Sequence, residues 1–351
     1  MKHGLISDLH FGVKKADDLF FDSQVRFLRD VYIPRLVELG VESLFVLGDV
    51  YDVRKSMSTK ILSRTAELIP SLFGRFRTHF IVGNHDMFFS TTTSTNSVSF
   101  LEYLSPNFSV HERIENCDPF VLVPWLDGKN METLRDQVFK EDGNGRKKHR
   151  IALGHFEIPG FGVPESQPDE TAHVTLDELL ERFDLVFSGH IHSPDSRRIA
   201  GREFRYLGAP YQMTRGDRDG ARGAYVFDDE TGELEFVRNE VSAKFVEVKY
   251  PEMPTPETIK GNIVDVQILS TEIGDPGVDV YMEKISAMEP LYPPVFKTIR
   301  PEESVKLEIE TDNRTMRDVL DEYVDLREDF TEEEKPILKA ELVGLLSAHE
   351  E

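Results

Sequence analysis

Seven side chains able to hold a divalent cation recur in short clusters along the first 200 or so residues. "SDLH" supplies Asp8 and His10, "LFVLGD" supplies Asp49, and "FIVGNHD" supplies Asn84 with His85 and Asp86 beside it. "IALGH" then supplies His155, and "LVFSGHIH" supplies His190 and His192. Each piece alone has an ordinary explanation. Gly and Asn tolerate left-handed turns, Asp caps helices, and a lone histidine is usually a satisfied interior residue. Turn-making, however, does not require histidines in cluster after cluster. Two carboxylates, one amide and four histidines, with one Asp shared, offer two divalent cations a mixture of nitrogen and oxygen ligands. That mixture suits manganese, iron or zinc better than calcium. Two such ions roughly 3.5–4 Å apart hold a bridging hydroxide as nucleophile and neutralise charge building on phosphorus, which is the chemistry of phosphoester hydrolysis.

The elements that must position these residues are legible as apolar runs. Strands are expected at 4–6, 43–47, 79–82, 119–123, 150–153 and 184–188, several apolar throughout, as suits strands buried on both faces. Helices are expected at 19–39, kinked or ended by Pro34, and at 58–73, 130–139 and 175–183. Each polar cluster follows a run, at the strand edge where open α/β sheets gather ligands. Shorter strands at 203–208, 223–228 and 234–238, the last two joined by a hairpin turn in "DDETGELEF", close an α/β layered domain assigned to 1–250. The three prolines of "YPEMPTPETIKG" (250–261) read as a linker. A small α+β module at 251–311 follows, built from "NIVDVQIL", a helix at 277–288, "PVFKTI" and "SVKLEIE". Residues 312–351 read as a pair of acidic helices. One carries an apolar stripe of Met316, Val319, Leu320, Tyr323 and Val324; the other carries Ile337, Leu338, Leu342, Leu345 and Leu346.

With 351 residues, 39% of them hydrophobic, the composition is that of a globular protein with a sizeable core. The single cysteine, Cys117, excludes an intramolecular disulfide and a cysteine-based zinc site, and fits a reducing compartment. The N-terminus has no signal-peptide pattern and no run of 18 apolar residues occurs, so the expectation is a cytoplasmic protein without a membrane partner. The net charge of -23 opposes casual nucleic-acid binding, but residues 301–351 hold 17 acidic against 6 basic side chains, which leaves the body only mildly acidic.

Taken in order, D-x-H, G-D, G-N-H-[DE], a lone H and G-H-x-H, the motifs resemble those of the calcineurin-like metallophosphoesterases over residues 1 to about 195. The resemblance implies a four-layer α/β/β/α sandwich with a small α+β capping domain and C-terminal helices. It implies Asp8, His10, Asp49 and His192 on one metal and Asp49, Asn84, His155 and His190 on the other. Manganese is the favoured ion, with magnesium, iron or zinc as alternatives. His85 would not be a ligand; it would protonate the leaving oxygen or stabilise the transition state, oriented by Asp86.

Two longer stretches, "GDVYDVRKSMS" and "YLGAPYQMTRGDRDGARGAYVFD", resemble nuclease subunits of the SbcCD and MRN type, the second especially their T-even phage branch. That implies a DNA exo/endonuclease subunit acting with a coiled-coil ABC ATPase in recombination and double-strand break repair. The ATPase would dock on the C-terminal helices, and the host would be a bacterial cytoplasm. The resemblance implies homodimerisation through helices after the second and third motifs, with "TTTSTNSVSFLEYL" (91–104) as the contact, or else as a helix internal to the monomer. One departure is Asp52, where cellular members usually carry a His thought to help position the DNA end. Its carboxylate would repel a phosphate unless a metal or Arg54 balances it. Arg215, Arg218 and Arg222 in "TRGDRDGARG" are candidate DNA-phosphate contacts, or else surface arginines paired with Asp217 and Asp219. "GRKKHR" (145–150) reads as a solvated loop, with a DNA-backbone contact as the alternative, and Trp125 as core or pocket wall. The competing functions are another metallophosphoesterase, a protein phosphatase or small-molecule phosphodiesterase, and a metal-free scaffold.

Overall fold

The computed structural model describes residues 1–52, 55–140, 151–161 and 174–299, together with Lys335 and Lys339. Arg54, the 145–150 segment, the strand expected from "SVKLEIE" and the apolar stripes of the C-terminal helices lie outside the described residues. The chain divides into two units, Met1–Ile299 and Arg300–Glu351; of the second, Lys335 and Lys339 are each helical.

In chain order the strands of the first half are β1 (Lys2–Ile6), β2 (Ser43–Leu47), β3 (Arg77–Ile81), β4 (Met87–Phe89), β5 (Thr92–Asn96), β6 (Phe108–His111), β7 (Glu115–Cys117) and β8 (Phe120–Val123). Then come β9 (Ile151–His155), β10 (Leu185–Gly189), β11 (Asp195–Ile199), β12 (Arg202–Tyr206), β13 (Gly223–Asp228), β14 (Leu234–Arg238), β15 (Phe245–Lys249), β16 (Ile263–Leu269) and β17 (Val295–Ile299). One six-stranded sheet runs β14-β13-β1-β2-β3-β6 and the other β11-β12-β10-β9-β8-β7. Strands β1, β2, β3 and β6 are parallel neighbours, as are β8, β9, β10 and β12, while β13 and β14 on one sheet and β7 and β11 on the other pair antiparallel.

Alternation along the central strands explains the layering. In β2 every residue is buried, because Leu44 and Val46 face one apolar cluster and Phe45 and Leu47 another. The cluster shared by both sheets takes Leu5, Phe45, Leu47 and Ile81 from the first and Phe120, Leu122, Leu153 and Phe187 from the second. Outside the first sheet lie Phe27, Tyr32, Leu36, Ile61, Ile69 and Phe73 from its helices. Outside the second lie Leu134, Leu179, Leu180 and Phe183. The order is α/β/β/α.

The helix expected at 19–39 is three pieces. Asp18–Phe27 is capped by the Asp17 carboxylate, which accepts from Phe20 N–H at 2.9 Å. A π-helical turn, Leu28–Tyr32, follows, and then Ile33–Glu38. Pro34 sits in the first turn of the last piece, directly after the π-helical turn, so the regular helix is interrupted beside it while the run continues to Glu38. Thr59–Phe73 buries Ile61, Thr65, Ile69 and Phe73, one residue per turn.

A third, parallel sheet of β15, β16 and β17 is covered by the helix Pro276–Ala287, which buries Val278, Tyr281 and Ile285 against it. This sheet takes in Phe245–Lys249, upstream of the prolines at 251–256, and Met1–Ile299 is compact as a whole.

Candidate metal centre

Parallel order places the ends of β1, β2 and β3 side by side in one sheet and those of β9 and β10 side by side in the other, and the polar clusters follow those ends. The chain leaves the strands in conformations that L residues rarely adopt: φ is +53° at Asp8, +43° at His10, +53° at Asp49 and +92° at His190. The loops hold these angles by bonding to each other. Asp8 N–H donates to Gly48 O at 3.1 Å and His10 N–H to Asp49 O at 3.0 Å. Two glycines are required by close approach. A side chain on Gly48, itself at φ +88°, would run into the His155 ring, and one on Gly83 into the carboxylate and amide of Asp49.

The seven expected ligands converge as two groups that share one carboxylate oxygen. Asp49 Oδ2 lies 3.5 Å from His10 Nε2 on one side and 3.4 Å from His155 Nε2 on the other. In the first group His10 Nε2 is 3.2 Å from His192 Nε2 and 3.9 Å from Asp8 Oδ1. In the second, Asn84 Oδ1 is 2.9 Å from His155 Nε2 and 3.2 Å from His190 Nδ1. Asp8, His10, Asp49 and His155 are all but fully buried. Asp8 also accepts from the amide of His190 at 3.1 Å, which ties the end of β1 to that of β10.

Tautomers follow from the partners. His155 Nδ1–H donates to the Leu47 carbonyl at 2.8 Å, so its Nε2 is the atom that faces Asp49 and Asn84. Burial pulls the His155 imidazolium down, but the Asp49 carboxylate outweighs it and raises the pKa to about 9. His10 is raised against burial by Asp52, Asp49 and Asp8. Asp49 is held low against its own burial by His155 and His10. Buried carboxylates here draw positive charge onto the imidazoles, and a donor set of this kind fits divalent cations in place of those protons. Asp8, His10 and His192 form one compact donor cluster and Asp8, Asp49 and His155 another.

Two expected roles are corrected. Asp86 does not orient His85. Its buried carboxylate accepts four main-chain N–H bonds, from Asp49 (2.9 Å), Gly83 (3.0 Å), Val50 (3.0 Å) and Tyr51 (3.3 Å). Asp86 therefore fastens the loop that carries Asp49. The residue that takes His85 Nδ1–H is Asp52, through its carbonyl at 2.9 Å, while the His85 amide donates to Asp49 Oδ1 at 2.8 Å. The Asp52 side chain lies 3.4 Å from His10 Nδ1, placing it between the two histidines.

The arginines are the second correction. Arg222 is buried and pairs with the Asp217 carboxylate at 3.4 Å, as the alternative reading expected; it also donates to the carbonyls of His192 and Asp217 and so positions the last ligand motif from within. Arg215 is bidentate on Asp265 at 2.6 and 2.8 Å, and Arg218 reaches Asp265 at 2.5 Å and Glu247 at 2.6 Å. Their partners lie on β15 and β16 rather than at Asp219. Trp125 lines the site, its ring centroid 5.2 Å from that of His190 and 6.0 Å from that of His155. Glu157, two residues past His155, stands 3.8 Å from His190 Nε2; an acid that close to a strand-end histidine was the only sequence signal for it.

Residues 1–194 match the calcineurin-like phosphoesterase family model. Exonuclease subunit 1 of Enterobacteria phage T4 is 24% identical over 348 residues, 95% of either chain. Among solved structures, an archaeal phosphodiesterase aligns at 13% identity and TM-score 0.36, over 68% of this chain and all of that one. A dimetal phosphatase from Danio rerio aligns at 12% and TM-score 0.37, over 64% of this chain and 91% of the other. No residue of this chain takes a role from those structures.

Proposed function

This chain belongs to the calcineurin-like phosphoesterase family, and we propose that it is a nuclease subunit that hydrolyses DNA phosphodiester bonds with two divalent metal ions. The observation that carries the reading is the position of Asp49 Oδ2 between His10 and His155, one oxygen available to both ligand groups. Asp8, His10, Asp49 and His192 would hold one cation and Asp49, Asn84, His155 and His190 the second. Bound there, the cations supply charge neutralisation at phosphorus and a water acidic enough to attack at neutral pH. Manganese is the ion we assign, since imidazole and carboxylate donors are mixed.

The chain's own part is positional and acid–base. His85 keeps its Nδ1–H on the Asp52 carbonyl; as imidazolium it gives the Nε2 proton to the leaving oxygen and stays neutral with Nδ1 protonated. Asp86 keeps the Asp49 loop rigid through its four amide bonds, and Trp125 covers the imidazoles of β9 and β10.

DNA as substrate, and assembly with a partner subunit, are supported by the near full-length likeness to a phage exonuclease subunit. An ABC-type ATPase docked on 312–351, a homodimer contact within 91–104, where Tyr103 is 90% exposed, a role in recombination and break repair, and a bacterial host cytoplasm complete the reading. Among the described residues no helix is long and apolar enough to cross a membrane.

The test is incubation with manganese and three substrates: labelled linear duplex, circular single strands and a phosphoserine peptide. Degradation of DNA, abolished by Asp49→Ala, is expected. Turnover of the peptide alone would assign the protein to the phosphatases instead.

A further inference from the structure

Beside the metal-ligand loops the structure holds a cavity of about 220 Å³. Its walls are Phe11, Ala16, Tyr51, Met57 and Ile61, and Lys15 stands on it with the hydroxyls of Ser56 and Ser58. We propose that this cavity receives the base of a nucleotide next to the scissile bond, with the Lys15 ammonium on an adjoining phosphate. The inference rests on the nuclease reading and adds to it a site for the substrate's base.

Location is the first argument. Phe11 follows His10 and Tyr51 precedes Asp52, and the two segments are bridged as a parallel pair. Phe11 N–H donates to Val50 O at 2.9 Å and Asp52 N–H to Phe11 O at 3.2 Å. The cavity therefore shares its floor with the loops that carry His10 and Asp49, so a group lodged there belongs to the same substrate as the reacting phosphate.

Strain is the second. Lys14, Lys15 and Ala16 have φ of +59°, +58° and +59° in succession. Left-handed geometry is unfavourable for each L residue and occurs normally at single positions, not three together. The turn is held by Val13 N–H on His10 O at 3.2 Å, by Ala16 N–H on Gly12 O at 2.9 Å, and by the helix that begins at Asp18. Strain that persists in a loop continuous with the ligands points to a ligand clamp.

Chemistry is the third. Aromatic, thioether and aliphatic walls accept a flat, weakly polar ring, the rim hydroxyls meet its hydrogen-bonding edge, and one cation meets phosphate.

The experiment compares manganese-loaded wild type, Ser58→Trp and Lys15→Ala on an oligonucleotide and on dimethyl phosphate, a small diester with neither base nor aromatic ring. Ser58 begins the helix Thr59–Phe73 without a side-chain capping bond, so its replacement spares the helix. Ser58→Trp is expected to raise KM for the oligonucleotide about tenfold, the scale of one base's stacking, and to leave the small diester unaffected. Lys15→Ala should raise the same KM and flatten its salt dependence. Unchanged oligonucleotide KM in both variants overturns the base site while the nuclease reading stands. A wild type that hydrolyses the small diester but no DNA overturns the nuclease reading, and the base site with it.

Discussion

Asp52 acts at both ends of one residue: its carbonyl takes the Nδ1–H of His85 and its carboxylate faces Nδ1 of His10. Among the described residues the Asp52 carboxylate, 3.4 Å from His10 Nδ1, is the group placed to hold a proton there and leave Nε2 for a cation. Carboxylates behind ligating histidines typically contribute about 10–100-fold in metal affinity. Asp52→Asn is therefore expected to weaken manganese binding at the Asp8, His10, Asp49 and His192 group by about tenfold or more in a calorimetric titration, with the second group unchanged. Wild-type affinity at the first group in the variant would remove Asp52 from that role. Its carbonyl survives the substitution, so the His85 bond stays.

Strand β3 carries a histidine that belongs to the core rather than to the site. The His79 ring stacks on Phe45, centroids 4.7 Å apart, and its Nδ1 lies 3.0 Å from His111 Nε2. Burial, followed by the neighbouring charges of His111, Arg77 and His3, lowers its pKa from 6.5 to about 4. The unfolded chain therefore takes up this proton near pH 6.5 and the folded chain only near pH 4. Between those values the unfolded state binds more protons, so stability falls as pH drops through that window. His79→Gln should flatten the slope of unfolding free energy against pH there, measured by urea titration at several pH values. A variant with the wild-type slope would mean that His79 is already protonated in the fold.

At the scale of the molecule, 41 basic side chains face 64 acidic ones, and Arg215, Arg218 and Lys297 are spent on cohesion. Asp265 is fully buried and accepts from Arg215, from Arg218 and from Lys297 at 2.8 Å. These bonds lock the 214–222 loop to the sheet of β15–β17, which has its own small core. Removing the shared carboxylate leaves cations that are themselves partly exposed, so the loss is that of charged hydrogen bonds, about 1.5–3 kcal/mol, rather than of a buried unpaired charge. Asp265→Ala should lower the unfolding free energy by about that much and speed proteolysis within 263–299. Unchanged stability would show the cluster to be solvated in practice.

The sequence by itself determined what depends on neighbours along the chain. Strands 43–47 and 223–228 have the ends read from their apolar runs, and the ligands sit two to four residues past such runs, because burial on both faces leaves a continuous local signature. Short polar edge strands such as Thr92–Asn96, Glu115–Cys117 and Asp195–Ile199 leave none, and they were not legible. Only the tertiary structure decided which groups meet. Asp86 stands next to His85 in the chain, yet its carboxylate turns to amides of the loop after β2, while Asp52 arrives from that loop to take the imidazole. Arg215 stands near Asp217 and Asp219, yet bonds to Asp265. Residue type sets what a side chain can bind; which partner it finds depends on how strands far apart in sequence are laid side by side.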